Sequence, residues 1–273
     1  MVLASYAGAS GRVYGVPDVS GDSRLQTDVL ESLSDARRYR EWLAGLALPH
    51  LGDHPIEIGS GNGDYALEWA PYVKQLTATE ADRGRYASLA ERFADHPVIR
   101  PQYLLLGQDQ AEAPADSLSS GLRGSQARSS HRATLHTGAV ALNVFEHIPD
   151  DVAAMRALRT LVQPGGAIVI MVPAFPSAMS RFDRAIGHHR RYTRASLREV
   201  FTQAGLVVSD VRYINPIGLL TWYVAVKAGN MAPKNGAALR LYDSTIVPLV
   251  RAMNRWFAAP FGQTVVGIAR VPH

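Results

Sequence analysis

The sequence predicts an α/β protein: a doubly wound, mostly parallel seven-stranded sheet, preceded by a helix and with a helical insertion before its last strand. Three observations predict it. Short apolar runs alternate with amphipathic helical stretches from about residue 55 to residue 214. The run Ala167–Val172 is almost continuously apolar, as befits a parallel strand buried on both faces. A glycine cluster, Gly59–Gly63, separates the first apolar run from a helical stretch, where a tight turn needs backbone without a Cβ.

Residues 1–25 are rich in Gly and Ser and read as a flexible arm. Val29, Leu30, Leu33, Ala36, Tyr39, Leu43 and Leu46 recur at helical spacing, which predicts a helix over 26–48. Pro55–Ile58 is the first strand, and Tyr65–Tyr72 the helix after the glycines. Gln75–Thr79 is the second strand, ending at Glu80, and Arg83–Phe93 is the next helix. Tyr103–Leu106 and Ala139–Val144 read as strands three and four. A helix then opens at Pro149-Asp150, with Val152, Met155, Leu158, Leu161 and Val162 on one face. Pro164-Gly165-Gly166 stops it and turns the chain into strand five, Ala167–Val172. Ala195–Ala204 is a helix ended by Gly205. Leu206–Ile214 and Thr264–Arg270 are the last strands.

Two stretches break this rhythm. Ala111–His136 is rich in Ser, Ala and Arg without Phe, Trp or Tyr, and reads as a long loop or a locally frame-shifted segment. Asn215–Gly262 is apolar and carries Trp222, Tyr223, Trp256, Phe257 and Phe261, the composition of a helical cap or a dimer surface.

At 273 residues the chain can bury a full core, and 47% hydrophobic with 19% charged residues excludes a disordered chain. The absence of cysteine excludes disulfides, thiolate nucleophiles and cysteine-ligated metals, and fits a cytoplasmic protein. No signal peptide is expected, and no run reaches the roughly 18–20 apolar residues of a membrane span. The net charge of +4 rests on arginine, since only Lys74, Lys227 and Lys234 are lysines. Guanidinium forks suit anionic groups. Nothing resembles a nucleic-acid-binding motif, and no such partner is expected.

The glycine loop runs Glu57, Ile58, Gly59, Ser60, Gly61, Asn62, Gly63. A dinucleotide-binding loop is spaced GxGxxG and must hold a pyrophosphate. Here the spacing is GxGxG and acidic Glu57 and Asp64 flank it, which suits a cationic ligand better than an anionic one. An NAD(P)-dependent oxidoreductase is therefore the weaker reading. Glu80, ending the second strand, is placed to accept both hydroxyls of a ribose.

Five segments together resemble the class I S-adenosylmethionine (SAM)-dependent methyltransferases, in family order and spacing across 55–172. They are Pro55–Gly63, Thr79-Glu80, Leu106–Asp109, Ala141–His147 and Leu161–Gly166. Gly187–Thr193 is similar to a bacterial subgroup of small-molecule methyltransferases in the same superfamily. The resemblance implies a Rossmann-like fold with SAM as cofactor and S-adenosyl-L-homocysteine as product. It implies that Glu57, Gly59, Ser60, Gly61 and Gly63 line the methionine and ribose portion. Glu80 would hold the ribose, with Ala81, Gln108 and Asp109 at the adenine. Asn143 and Val144 would pass near the sulfonium, and Tyr39 or Trp42 could close over it. The family pattern has an aromatic-Asp pair where this chain reads Leu135-His-Thr-Gly138, a departure. The organisation implied is one domain over 1–273: a SAM-binding core at 55–172, an acceptor-side segment at 173–214, a cap at 215–262 and a last strand in 263–273.

Methyl transfer to a hydroxyl also requires loss of its proton, and histidine suits that near neutral pH. His147 is the first candidate base, followed by His188 and His189. Arg190, Arg191 and Tyr192 are expected to contact the acceptor, an anionic or glycosylated small molecule methylated on oxygen. Some relatives with Glu-His in this place hold a divalent metal, which would make Glu146 and His147 ligands. The sequence identifies no third ligand, and no metal is expected. The basic, aromatic insertion 215–262 could also meet a membrane surface or a second copy of the chain. A SAM- or nucleoside-binding regulatory protein without catalysis is the reading from another functional class.

Overall fold

The computed structural model describes residues 36–106, 135–224, 236–256 and 259–273. The predicted arm 1–25, the first part of the predicted N-terminal helix, and Gln108 and Asp109 with most of the Ser/Arg-rich stretch lie outside the described residues.

In chain order the elements are α1 (Arg37–Ala47), β1 (Ile56–Ile58), α2 (Asp64–Trp69), β2 (Leu76–Glu80), α3 (Arg83–Arg92), β3 (Ile99–Tyr103), β4 (His136–Leu142), α4 (Asp151–Leu161), β5 (Val162–Pro173), α5 (Arg181–Ala185), α6 (Arg194–Gln203), β6 (Val207–Ile214), α7 (Pro216–Thr221), α8 (Ala237–Leu241), α9 (Val247–Trp256) and β7 (Thr264–Arg270). The seven strands form one sheet in the order β3-β2-β1-β4-β5-β7-β6. All pairings are parallel except those of β7, which runs antiparallel to β5 and β6. β1 lies between β2 and β4, so the winding reverses there, and the crevice beyond its C-terminal end is where open α/β sheets bind ligands.

Both faces are covered, which explains the apolar runs. Ile168, Ile170 and Val172 of β5 pack on one side with Met155 and Leu158 of α4 and Leu197 and Phe201 of α6. Val169 and Met171 point to the other side, with Trp42 and Leu43 of α1, Trp69 of α2 and Val250 of α9. Ala36 offers α1 no side-chain cap. Asp243, from the insertion, supplies it instead by accepting the backbone N–H groups of Arg38 and Tyr39, each at 2.9 Å. The insertion is thereby tied to the helix that enters the fold.

Three strand predictions are corrected. The third strand is Ile99–Tyr103, ahead of the predicted Tyr103–Leu106. It is an edge strand, with alternating burial, and tolerates Pro101 because one side has no partner strand among the described residues. The fourth strand begins at His136 and ends at Leu142. Its start is small and polar because a Cβ on Gly138 would meet the Leu51 carbonyl oxygen at 2.8 Å, while the Thr137 hydroxyl donates to that same carbonyl. The fifth strand begins at Val162, so Pro164-Gly165-Gly166 lies inside it as a bulge. Val162 pairs with His136 and Ala167 with Gly138, which leaves four residues opposite Thr137 alone. Gly165 bends there at φ 79°, and its N–H donates to the Val271 carbonyl.

Described segments of the insertion form α7, α8 and α9, with Tyr242–Ile246 wound as a π turn. Leu220, Val224, Leu241, Leu249 and Met253 on these segments are exposed. Among the described residues, no helix is long and apolar enough to cross a membrane.

Candidate active site

The loops after β1, β2, β4 and β5 leave one edge of the sheet, and most of the described candidate residues gather there. Gly59, Gly61 and Gly63 all take positive φ, at 70°, 54° and 80°. A Cβ on Gly59 would stand 2.5 Å from Val144 Cγ2, so this glycine lets the turn after β4 close against the turn after β1. The loop is fixed by its own polar groups. Ser60 N–H donates to the Thr79 carbonyl at 2.7 Å, and the Ser60 hydroxyl donates to Glu57 Oε2 at 2.7 Å. Gly61 N–H donates to Glu80 Oε2 at 3.0 Å.

Glu57 and Glu80 are thus two buried carboxyl groups on adjacent strands. Burial pushes the Glu57 carboxyl up to about 8, against the Ser60 hydrogen bond, with Glu80 and Asp64 adding to the rise. Glu80 Oε1 accepts from the N–H groups of Ala81 (3.1 Å) and Asp82 (2.9 Å) and from Arg85, leaving acceptor capacity mainly on Oε2. Arg92 pairs with Asp64 at 2.9 Å. The donor set fits SAM: a carboxyl for a cationic ligand, a second for a ribose, and glycine backbone that permits close approach.

Titration should expose this. The ordinary value of the Glu57 carboxyl is 4.5, and its folded value is about 8. Between these the native state holds a proton that the unfolded chain has lost. Its contribution to stability is complete below about 4.5 and disappears as pH rises through 8. A cationic ligand seated against Glu57 would favour the carboxylate, so SAM binding is expected to release a proton and its affinity to rise with pH by up to about tenfold per unit below 8. Calorimetry in buffers of different ionisation enthalpy reads the proton, and Glu57→Gln abolishes it.

Asn143 leaves β4 at φ 52°, exposed, and Val144 follows it against Gly59. Tyr39 stands at the same edge, its hydroxyl 3.4 Å from Thr264 Oγ1 and its ring edge-on to Trp42.

The short turn Phe145–His147 turns Glu146 inward, with no exposed surface. His147 and His188 meet edge to face with ring centroids 4.6 Å apart. Burial, helped by His188, holds the His147 imidazole down to about 3, and burial raises the Glu146 carboxyl to about 7. His188 Nδ1 lies 3.0 Å from Asp183 Oδ1. Burial opposes ionisation of Asp183, yet His188, Arg191 and Ser180 hold its carboxyl well below the usual range. His189 is exposed beside this group, and its N–H donates to the Glu146 carbonyl. Asp183 was missed from the sequence, although Ser180-x-x-Asp183 is a capping-box pattern, and both bonds of that box form.

Arg190, Arg191 and Tyr192, expected to contact the acceptor, have partners within the fold. The Arg191 guanidinium is buried, donates to Asp183 Oδ1 through Nε (3.2 Å) and Nη2 (2.8 Å), and donates to the Ala174 carbonyl. It also lies over the Trp222 ring at 4.5 Å. Tyr192 is buried and its hydroxyl donates to Asp151 at 2.7 Å. Arg190 pairs with the same Asp151 at 2.8 Å. Arg191 is paired in the interior and Arg190 at the half-exposed edge, and together they hold the segment after β5 against the turn after β4.

A family profile described as a methyltransferase domain matches residues 31–211. No curated protein matches the sequence. Solved structures share the fold at low identity. The N-methyltransferase NodS of Bradyrhizobium japonicum, in complex with S-adenosyl-L-homocysteine, is 15% identical, with 92% of this chain and 97% of that chain covered at a TM-score of 0.52. A protein of Galdieria sulphuraria described as a candidate sarcosine dimethylglycine methyltransferase is 13% identical, with 93% and 94% covered at 0.56. The [4+2]-cyclase SpnF, 16% identical with 85% and 80% covered at 0.52, has the same fold, so the fold does not by itself assign the reaction. The profile match over most of the chain does assign the family: the protein belongs to the methyltransferase-domain family, as a class I SAM-dependent methyltransferase with SAM as its cofactor.

Proposed function

We propose that the protein methylates an oxygen of a small-molecule acceptor seated at the C-terminal edge of the sheet, between the turn after β4 and the segment after β5. One observation carries this reading: the two imidazoles of His147 and His188 and the carboxyl of Glu146 converge there. When bound, SAM supplies an activated methyl group for in-line displacement. The protein supplies alignment and handling of the acceptor's proton. Glu57 balances the cation, Glu80 accepts from the ribose, and Gly59 and Gly61 let the backbone come close. The Glu146–His147–His188 group takes charge of the acceptor hydroxyl. The exposed apolar side chains of 215–262 support contact of that segment with an apolar surface.

The test is incubation with methyl-labelled SAM and a panel of phenols, carboxylic acids, sugars and amines. Methyl ethers or esters are expected, and His147→Ala should lower kcat by about 10²–10⁴-fold without changing SAM affinity. Exclusively N- or C-methylated products, or full turnover by His147→Ala, contradict the reading.

A further inference from the structure

From Ala237 to Trp256 the insertion is helical without a break, through α8, the π turn and α9. One side of this stretch packs on the core through Val247 and Val250. Along another, Leu241, Thr245, Leu249 and Met253 recur every four residues, and all of them are exposed. Leu241 is 64% exposed, Leu249 53% and Met253 42%. A surface helix ordinarily turns its apolar residues to the core and polar ones to water. This one is apolar on the outside as well, and its outward apolar residues form a stripe where isolated side chains would be ordinary. At the start of the insertion Leu220 and Val224, also four apart, are exposed in the same way.

The charge of the segment is one-sided. Between residues 215 and 262 the sequence has Lys227, Lys234, Arg240, Arg251 and Arg255 against a single acid, Asp243. Asp243 is buried and accepts the N–H groups of Arg38 and Tyr39, so its charge is turned inward. Arg251 is exposed on α9. Arg38 of α1 is exposed where its guanidinium donates to the carbonyl of Ser244, the residue before Thr245 of the stripe. Glu41 of α1 is paired with Arg37.

This charge pattern separates two occupants of an apolar face. In a symmetric dimer the same patch meets itself. Arg38 and Arg251 would then face their own copies, like charges repelling, with Asp243 turned away from them. A membrane with anionic headgroups instead offers acyl chains to the leucines and methionine, and negative charge to the arginines. We infer that the stripe of Leu241, Thr245, Leu249 and Met253, with Arg38 and Arg251, docks this protein on an anionic lipid bilayer, the helix lying along the surface. The insertion is also fastened to the segment after β5. Trp222 Nε1 donates to the Ala178 carbonyl at 3.1 Å, and the Tyr223 hydroxyl is 2.8 Å from Ser177 Oγ. Docking therefore ties that segment to the membrane. It is independent of the reaction proposed above.

The test is co-sedimentation of tag-free full-length protein with vesicles of phosphatidylcholine alone, and of phosphatidylcholine mixed equally with phosphatidylglycerol. Binding to the mixed vesicles is expected to be at least about tenfold tighter, and to weaken with added salt. The Leu249→Gln, Met253→Gln double variant should lose at least about tenfold, and Arg251→Glu at least about fivefold. All three side chains are exposed, so the melting temperatures should stay at the wild-type value, which checks folding. Wild-type protein that leaves the mixed vesicles unbound, or binds both kinds equally, overturns the docking. So does undiminished binding by the double variant. A dimer in solution that the double variant splits would assign the stripe to a second copy of the chain and overturn it too.

Discussion

Glu80→Ala should lose at least a hundredfold in SAM affinity. The carboxylate ends β2, accepts Gly61 N–H through Oε2, and gathers Ala81, Asp82 and Arg85 on Oε1. Its loss removes the proposed ribose acceptor and, at the same time, the anchor of the glycine loop. Each hydrogen bond to a charged group contributes about 1.5–3 kcal/mol, so two lost ribose contacts alone suffice for this effect. Glu80→Gln retains one acceptor oxygen and should fall between. Calorimetric titration reads the affinity, and the melting temperature of each variant separates a local loss from unfolding. Near-normal SAM binding by Glu80→Ala would place the ribose elsewhere.

Arg191→Ala should act on stability, with its effect on acceptor binding secondary. The guanidinium is only 2% exposed and faces Asp183, which is fully buried. Removing one partner of a buried pair leaves the other charge uncompensated and typically costs 3–5 kcal/mol. For a chain of this size that lowers Tm by roughly 6–20 °C. Arg191→Lys keeps the charge but not the fork, and should recover only part. Thermal unfolding followed by circular dichroism reads the change. A variant with unchanged Tm and a raised acceptor KM would reinstate the clamp predicted from sequence.

What could be read in advance follows from how local each signal is. The strand-loop-helix unit around Gly59–Gly63 was legible because apolar run, positive-φ glycines and helix are contiguous. β7 was read to the residue, since Thr264–Arg270 is a buried run with clear limits. β3 was misplaced because an edge strand buried on alternate residues and containing Pro101 is less apolar than the Leu104–Leu106 segment after it. Leu106 is buried against the core without being in a strand, so the signal there was burial and not strand. The bulge in β5 was read as a turn because Pro-Gly-Gly marks both, and only pairing with Val271 near the chain end distinguishes them.

The arginines of 190–191 suggested an anion site because arginine in sequence carries no record of its partner. Asp183 and Asp151 neutralise them from other segments. The same limit hid the cap that Asp243 places on α1 and the meeting of His188 with Glu146 and His147. Each joins distant residues that no periodicity connects.

SAM binding in the crevice beyond β1 and β2 underlies the whole reading. Its most direct test is calorimetric titration of the wild-type protein with SAM and S-adenosyl-L-homocysteine, with NAD and NADP alongside. Saturable binding of one SAM or one S-adenosyl-L-homocysteine per chain, with neither dinucleotide bound, is the predicted result. A folded protein that binds NAD or NADP, or that leaves SAM unbound, contradicts the account.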